Sequence, residues 1–210
     1  MMSLRNLMRN KLRTFLTLAG VSIGIAMYVG VTSYADNLKS ELRLLVTNQY
    51  ELIVQSKAAT SPFSSSISHA DYKRLLKQKG VESAPSIILE PIQVSKSPYF
   101  ILAGTSSIEP VLSSISLVKG RLPDLRNQEI IVGKKASLKL HWNLNDTIEL
   151  GIGKSFTIVG IYATGSRLFD TGMIMSIEDA KRVLNRQDEI NIALIRPKQG
   201  YAVRSLLQNI

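Results

Sequence analysis

Hydrophobic and polar positions divide the chain into two parts with different periods. Residues 14–35, TFLTLAGVSIGIAMYVGVTSYA, contain no charged side chain, and as a helix rising about 1.5 Å per residue they would extend about 33 Å, enough to cross a bilayer core. A helix satisfies every backbone amide internally, which is why such a run can enter hydrocarbon. Helical spacing continues through 36–48, with Leu38, Leu42 and Leu45 on one side. Beyond that the pattern shortens. Strands are predicted at 51–55, 87–94, 99–103, 129–132, 147–150, 155–162, 173–176 and 190–195, and helices at 69–79, 134–140, 178–184 and from 202 onward. Ser68 is placed to cap the 69–79 helix and Gly80 to end it. The serine-rich stretch 56–68, with Pro62, reads as an exposed loop. Gly151, Ile152, Gly153 and Lys154 suit a tight hairpin connection between 147–150 and 155–162. The class is α+β: one N-terminal transmembrane helix followed by a mixed α+β domain.

Charge fixes the expected orientation of that helix. The net charge is +10, and Arg5, Arg9, Lys11 and Arg13 stand before the apolar run without an acidic neighbour, while Asp36 follows it. A positive-inside bias of this kind predicts a cytoplasmic segment at 1–13, a transmembrane helix at 14–35 and an extracytoplasmic domain at 36–210. Leu4, Leu7, Met8 and Leu12 share a helical face of the first segment, so its arginines would meet anionic head groups and its leucines the acyl chains. Ser33 and Ala35 also satisfy the small-residue rule of a cleavable signal, but the apolar run is longer than a signal core and favours an anchor. Within it Gly20 and Gly24 form a G-x-x-x-G pair that Ala26 and Gly30 extend, a pattern that lets a second helix approach closely.

Several chemistries are excluded or disfavoured. The remaining cations are dispersed among acids, with no recognition helix, so no nucleic-acid partner is expected. The chain has no cysteine and only His69 and His141, which removes disulfides and thiolate sites and leaves too little for a zinc site. Gly153-Lys154-Ser155 imitates the end of a phosphate loop, yet Ile148 stands where the motif needs glycine and a strand follows where it needs a helix. Asp124, Glu129 and Asp146 carry carboxylates, but nothing in their spacing brings them into one cleft. Asn145-Asp146-Thr147 is a glycosylation sequon only in a eukaryotic secretory pathway. No catalytic, cofactor or metal residues are assigned.

Two blocks of sequence carry a family resemblance. The opening LRNLMRNKLRTFLTLAGVSIG resembles the start of MacB/FtsX-type ABC transporter permeases, where a basic amphipathic stretch runs into the first membrane helix. The block from 119 to 166 resembles that family's extracytoplasmic core domain: a G-R-x-P turn at Gly120, Arg121 and Pro123, an E-I-I-V-G strand ending at Gly133, a G-D-x-I-like turn at Asp146, and an F-x-I-V-G strand ending at Gly160. Asn145 stands where the family has glycine, and asparagine also tolerates left-handed turn geometry.

The resemblance implies a non-enzymatic permease subunit that pairs with a second permease subunit and a cytoplasmic ABC ATPase, in contact with membrane lipid. Cytoplasmic ATP hydrolysis would then drive export, extraction or mechanical signalling. Relatives continue into three more membrane helices, so the resemblance also implies that this chain is the N-terminal portion of a longer permease, a split-gene product or a truncated remnant. Two other readings remain open from the residues: a stand-alone anchored binding or adaptor domain, and a secreted enzyme released by cleavage after Ala35.

Overall fold

The computed structural model describes residues 11–43, 50, 52–94, 97–151 and 153–201, which form two units, 1–43 and 44–210. The first unit contains α1 (Lys11–Arg43), a helix of 33 residues and therefore about 50 Å long. Its stretch Lys11–Ser33 is long and apolar enough to cross a membrane and is unburied throughout. The predicted helix at 14–35 and its continuation thus form a single element as far as Arg43. Arg5 and Arg9, residues 44–48 of the expected continuation and the predicted helix from 202 lie outside the described residues.

The second unit is built on a ten-stranded mixed sheet. In chain order its elements are β1 (Leu52–Val54), β2 (Ile67–Ser68), α2 (His69–Leu76), β3 (Val81–Ser83), β4 (Ser86–Val94), β5 (Ser97–Thr105), α3 (Glu109–Leu112), β6 (Ser116–Gly120) and β7 (Glu129–Gly133). There follow α4 (Lys134–Leu140), β8 (Thr147–Leu150), β9 (Lys154–Ala163), β10 (Met173–Ser176), α5 (Ile177–Leu184), β11 (Glu189–Ile190) and β12 (Ile192–Pro197). The sheet runs β1-β12-β4-β5-β10-β7-β9-β6, with β3 beside β12 and β8 beside β9. β10 is parallel to β5 and β7 parallel to β9; the other neighbours are antiparallel. β2 and β11 form a separate two-stranded ladder.

Alternation along the strands sorts side chains onto two faces. Ile88, Phe100, Leu102, Ile130, Val132, Met173, Met175 and Ile195 point to the face covered by Leu75 of α2, Ala136 of α4 and Ala180 of α5. Ile87, Leu89, Ile101, Ile131, Ile174 and Leu194 point to the other. That face is covered thinly, by Val111 of α3 and by Phe63 and Phe169 of two 3-10 turns, Pro62–Ser64 and Phe169–Thr171. Because both faces are covered, the central strands read as continuous apolar runs such as EIIVG and MIMS.

Helix starts follow their local chemistry. Ser68 and Ser176 each accept the backbone N–H of the residue three positions on, Asp71 and Asp179, at 3.1 Å, and each hydroxyl donates to that aspartate's carboxylate at 2.8 Å. α2 stops at Leu76, short of the predicted 79, and Gly80 follows with φ +100°. The predicted loop 56–68 contains a 3-10 turn and β2, and the predicted strand 190–195 is split at Asn191. β3, α3 and β6 have no counterpart among the predicted elements, because β3 is three residues long, α3 is four residues with Pro110 inside it and β6 is exposed at all five positions. None of the three offers a periodic signal.

Candidate functional site

The family-motif residues converge on one corner of the sheet. Gly120 ends β6 with φ +79°, and a Cβ there would strike the Val159 carbonyl and lie 2.8 Å from Leu144. This turn brings the Arg121 N–H to Val159 O at 2.9 Å, and it aims the Arg121 guanidinium at the first residue of β7. Both of its terminal nitrogens donate to Glu129, each at 2.6 Å, while the Asp124 N–H donates to Glu129 Oε2 at 2.9 Å. The bidentate Arg121 guanidinium, reinforced by the Asp124 amide, holds the Glu129 carboxyl below the usual carboxylate range. Asp124 is itself held low by Arg126, whose Nε and Nη2 bind it at 3.1 and 3.0 Å. Pro123 is buried in the same turn.

The other motif residues do comparable backbone work. Gly160 crosses so close to the Arg121 carbonyl that a Cβ would strike it. Gly133 meets the backbone of Asp170 in the same way and donates to Gly172 O at 2.9 Å. Asp146 Oδ2 accepts the Asn143 N–H at 2.7 Å, and Asp146 O accepts from Ile158 at 2.9 Å. Asn145 has φ +68°, the left-handed geometry asparagine tolerates. Asp124 and Glu129 therefore share one hydrogen-bonded turn, each occupied by an arginine, while Asp146 caps a different one. Gly153-Lys154-Ser155 belongs to the β8–β9 hairpin, with Gly151 and Gly153 both at positive φ.

In the first unit, no described residue beyond the adjacent turns of the helix itself lies within 4 Å of a Cβ added at Gly20, Gly24 or Gly30. Lys11 and Arg13 lie in the first turn of α1 as described. Arg13's carbonyl accepts the Thr17 hydroxyl at 2.9 Å.

Two polar constellations gave no signal in the sequence. Asn191 is 2% exposed, and its side chain accepts the Leu89 N–H at 3.1 Å while donating to the carbonyls of Pro62, Phe63 and Ser65 at 3.2, 3.3 and 3.1 Å. It pins the serine-rich loop onto the sheet. Tyr50, Glu109 and Arg196 form the second. Arg196 Nη2 donates to Glu109 Oε1 at 2.7 Å and to the Tyr50 hydroxyl at 3.3 Å, and that hydroxyl donates to Glu109 Oε2 at 3.3 Å. The Arg196 guanidinium also lies 4.8 Å from the Tyr50 ring centroid, within cation–π range. Arg196 holds the Glu109 carboxyl low, and burial pushes the Tyr50 phenol up. Their members come from three separated parts of the chain, so spacing could not have joined them.

An open hollow of about 470 Å³ lies between the end of β1 and α2, with Val54, Ile67 and Leu75 beneath Lys57, Asp71 and Arg74. Among the described residues, no group of three or more His, Cys, Asp or Glu side chains is placed to hold a metal ion. The arrangement is one of structural clamps and ion pairs.

Residues 14–210 match the family described as the MacB-like periplasmic core domain. The chain belongs to this family. Its sequence is 26% identical over 204 residues to the macrolide export ATP-binding/permease protein MacB of Haemophilus ducreyi, covering 88% of this chain and 29% of that protein. The chain thus spans less than a third of the length of that relative. Its fold is similar to the periplasmic region of MacB from Actinobacillus actinomycetemcomitans, with a TM-score of 0.58 at 13% identity over 80% of this chain and 83% of that one. It is also similar to the extracellular domain of the noncanonic ABC-type transporter YknZ from Gram-positive bacteria, with a TM-score of 0.53 at 14% identity over 67% and 78% of the two chains. The α+β class and the resemblance to ABC transporter permeases are both established by these matches.

Proposed function

We propose that this chain is a permease subunit of an ABC transporter, or the N-terminal portion of one, working with a second permease subunit and a cytoplasmic ATPase. The observation that carries the reading is the match of residues 14–210 to the family of the MacB-like periplasmic core domain, a match that takes in most of a helix long and apolar enough to cross a membrane. In this reading residues 1–13 lie in the cytoplasm, held by Arg5, Arg9, Lys11 and Arg13 against the anionic inner leaflet, and 14–35 cross the inner membrane. Residues 36–210 form the extracytoplasmic domain. Gly20, Gly24 and Gly30 offer the second permease a close helix contact. The ATPase performs the hydrolysis, and this chain contributes displacement of its outer domain. Export, extraction of an envelope substrate and mechanical signalling all use such a displacement.

The reading is tested on native membranes carrying an N-terminally tagged chain. The tag is expected to resist alkaline extraction, to be shielded from protease in intact spheroplasts, and to copurify an ATP-hydrolysing subunit. A soluble product beginning near Asp36, or an anchored chain that never brings down an ATPase, would overturn it.

A further inference from the structure

β1 is the first strand after the membrane helix, and β12 is the last described strand of the chain. They are neighbours at the edge of the sheet, and they meet antiparallel over only three rungs, Leu52↔Ile195, Ile53↔Leu194 and Val54↔Ala193. The chain therefore enters β1 at the same end at which it leaves β12. Tension on the incoming segment at that end acts on one rung at a time, so the pair would open from Leu52↔Ile195 inward. β12 is held on its other side by β4 and β3, the latter at Arg196↔Ser83. β1 has no such second neighbour among the described strands, and it is the strand that would peel.

Tyr50 and Arg196 sit at the mouth of this pair, just outside its first rung, and Glu109 reaches them from α3. We propose that Tyr50, Arg196 and Glu109 form a clasp that keeps β1 zipped to β12 when the membrane helix moves and passes the displacement to α3. Tyr50 is 1% exposed, so its ring is anchored in the core and does not swing with the incoming chain. Tyr50 is held by the guanidinium over its ring face, by the Arg196 donor to its hydroxyl and by its own hydroxyl donating to Glu109, so three contacts must break before the first rung opens, while the Arg196–Glu109 ion pair keeps the two partners of Tyr50 together. Val111 of α3 packs with Ile131, Val159, Tyr162 and Ile174, which carries the load from the sheet edge into its centre. This inference rests on the permease reading, in which motion of the membrane helix drives the outer domain.

The test uses the full chain in lipid nanodiscs. The chain has no native cysteine, so handles on cysteines introduced at Asn48, two residues before Tyr50 in sequence, and at Lys198 allow single-molecule pulling on the segments that enter β1 and leave β12. Arg196→Gln is expected to lower the force of the first opening event and to speed exchange of the Leu52–Val54 amides about ten-fold or more, with Glu109→Gln intermediate. The amides of Ile130–Val132 serve as the folding control and stay protected, and Arg126→Gln, which breaks a distant surface pair, changes neither reading. Opening at the wild-type force in both Arg196→Gln and Glu109→Gln, with unchanged exchange at β1, would overturn the clasp. If Arg196→Gln loses protection at Ile130–Val132 as well, the same comparison is read from Glu109→Gln, where wild-type force and exchange would likewise overturn it. A chain that shows the clasp but never binds an ATPase refutes the permease reading and leaves the clasp standing.

Discussion

Arg121 and Glu129, eight residues apart, lie face to face with two nitrogen–oxygen distances of 2.6 Å across the turn between β6 and β7. The arginine side chain is 60% exposed and the glutamate 15%, so the carboxylate is the member whose protonation the fold senses. Its pKa is lowered in the folded state, first by the Arg121 hydrogen bonds. The stabilisation is present in full above the unfolded value of about 4.3 and is lost as pH falls through the lower folded value. Urea midpoints measured from pH 7 down to pH 3 are expected to fall more steeply for the wild type than for Glu129→Gln in the window below about 4.3. Parallel curves would mean that the pair contributes nothing through Glu129.

Gly160 tests whether the motif glycines are steric requirements. Its added Cβ would meet the Arg121 carbonyl and lie 2.9 Å from Ile131 Cγ2, inside the β7–β9 contact where the register shifts. Gly160→Ala is expected to cost about 1–3 kcal/mol, the usual penalty of overpacking. Thermal midpoints of the full chain in detergent check this, with Leu138→Ala, at a position 67% exposed, as a control that leaves the midpoint in place. Equal midpoints for the two variants would show that the corner relaxes around a methyl group.

Asn191 supports a different region. Removing its amide leaves the Leu89 N–H without its partner and frees the carbonyls of Pro62, Phe63 and Ser65. Asn191→Ala is therefore expected to lower stability by about 2–3 kcal/mol. It should also raise hydrogen exchange across 62–68 more than across β7. Uniform exchange in both regions would show that the loop is held by its own turns.

Much of this architecture was legible because it is local. An uncharged run of membrane length, the serine that caps α2, and the glycines that punctuate β7 and β9 each act within a few residues of themselves. So do the α+β class and the α4 boundaries at Lys134–Leu140, which follow from periodicity and from the Gly133 turn. β6 was not legible, since an exposed edge strand shows no alternation, and neither was α3, whose four residues hold a proline. These two elements nevertheless carry Glu109 and lead into Arg121.

From its residues alone the chain announces an apolar helix behind a basic segment, an α+β domain, and the order of the turns that link it to MacB-like permeases. Those properties depend on side-chain type and short spacing. Which strands become neighbours is a property of the folded sheet: β1 pairs with β12 across more than a hundred residues, and Arg196 reaches Tyr50 and Glu109 only because that pairing places it there. The same holds for Asn191 and the serine-rich loop. Long-range pairs carry no periodic trace, because each partner looks locally like an ordinary polar residue until burial and loop closure bring the two together.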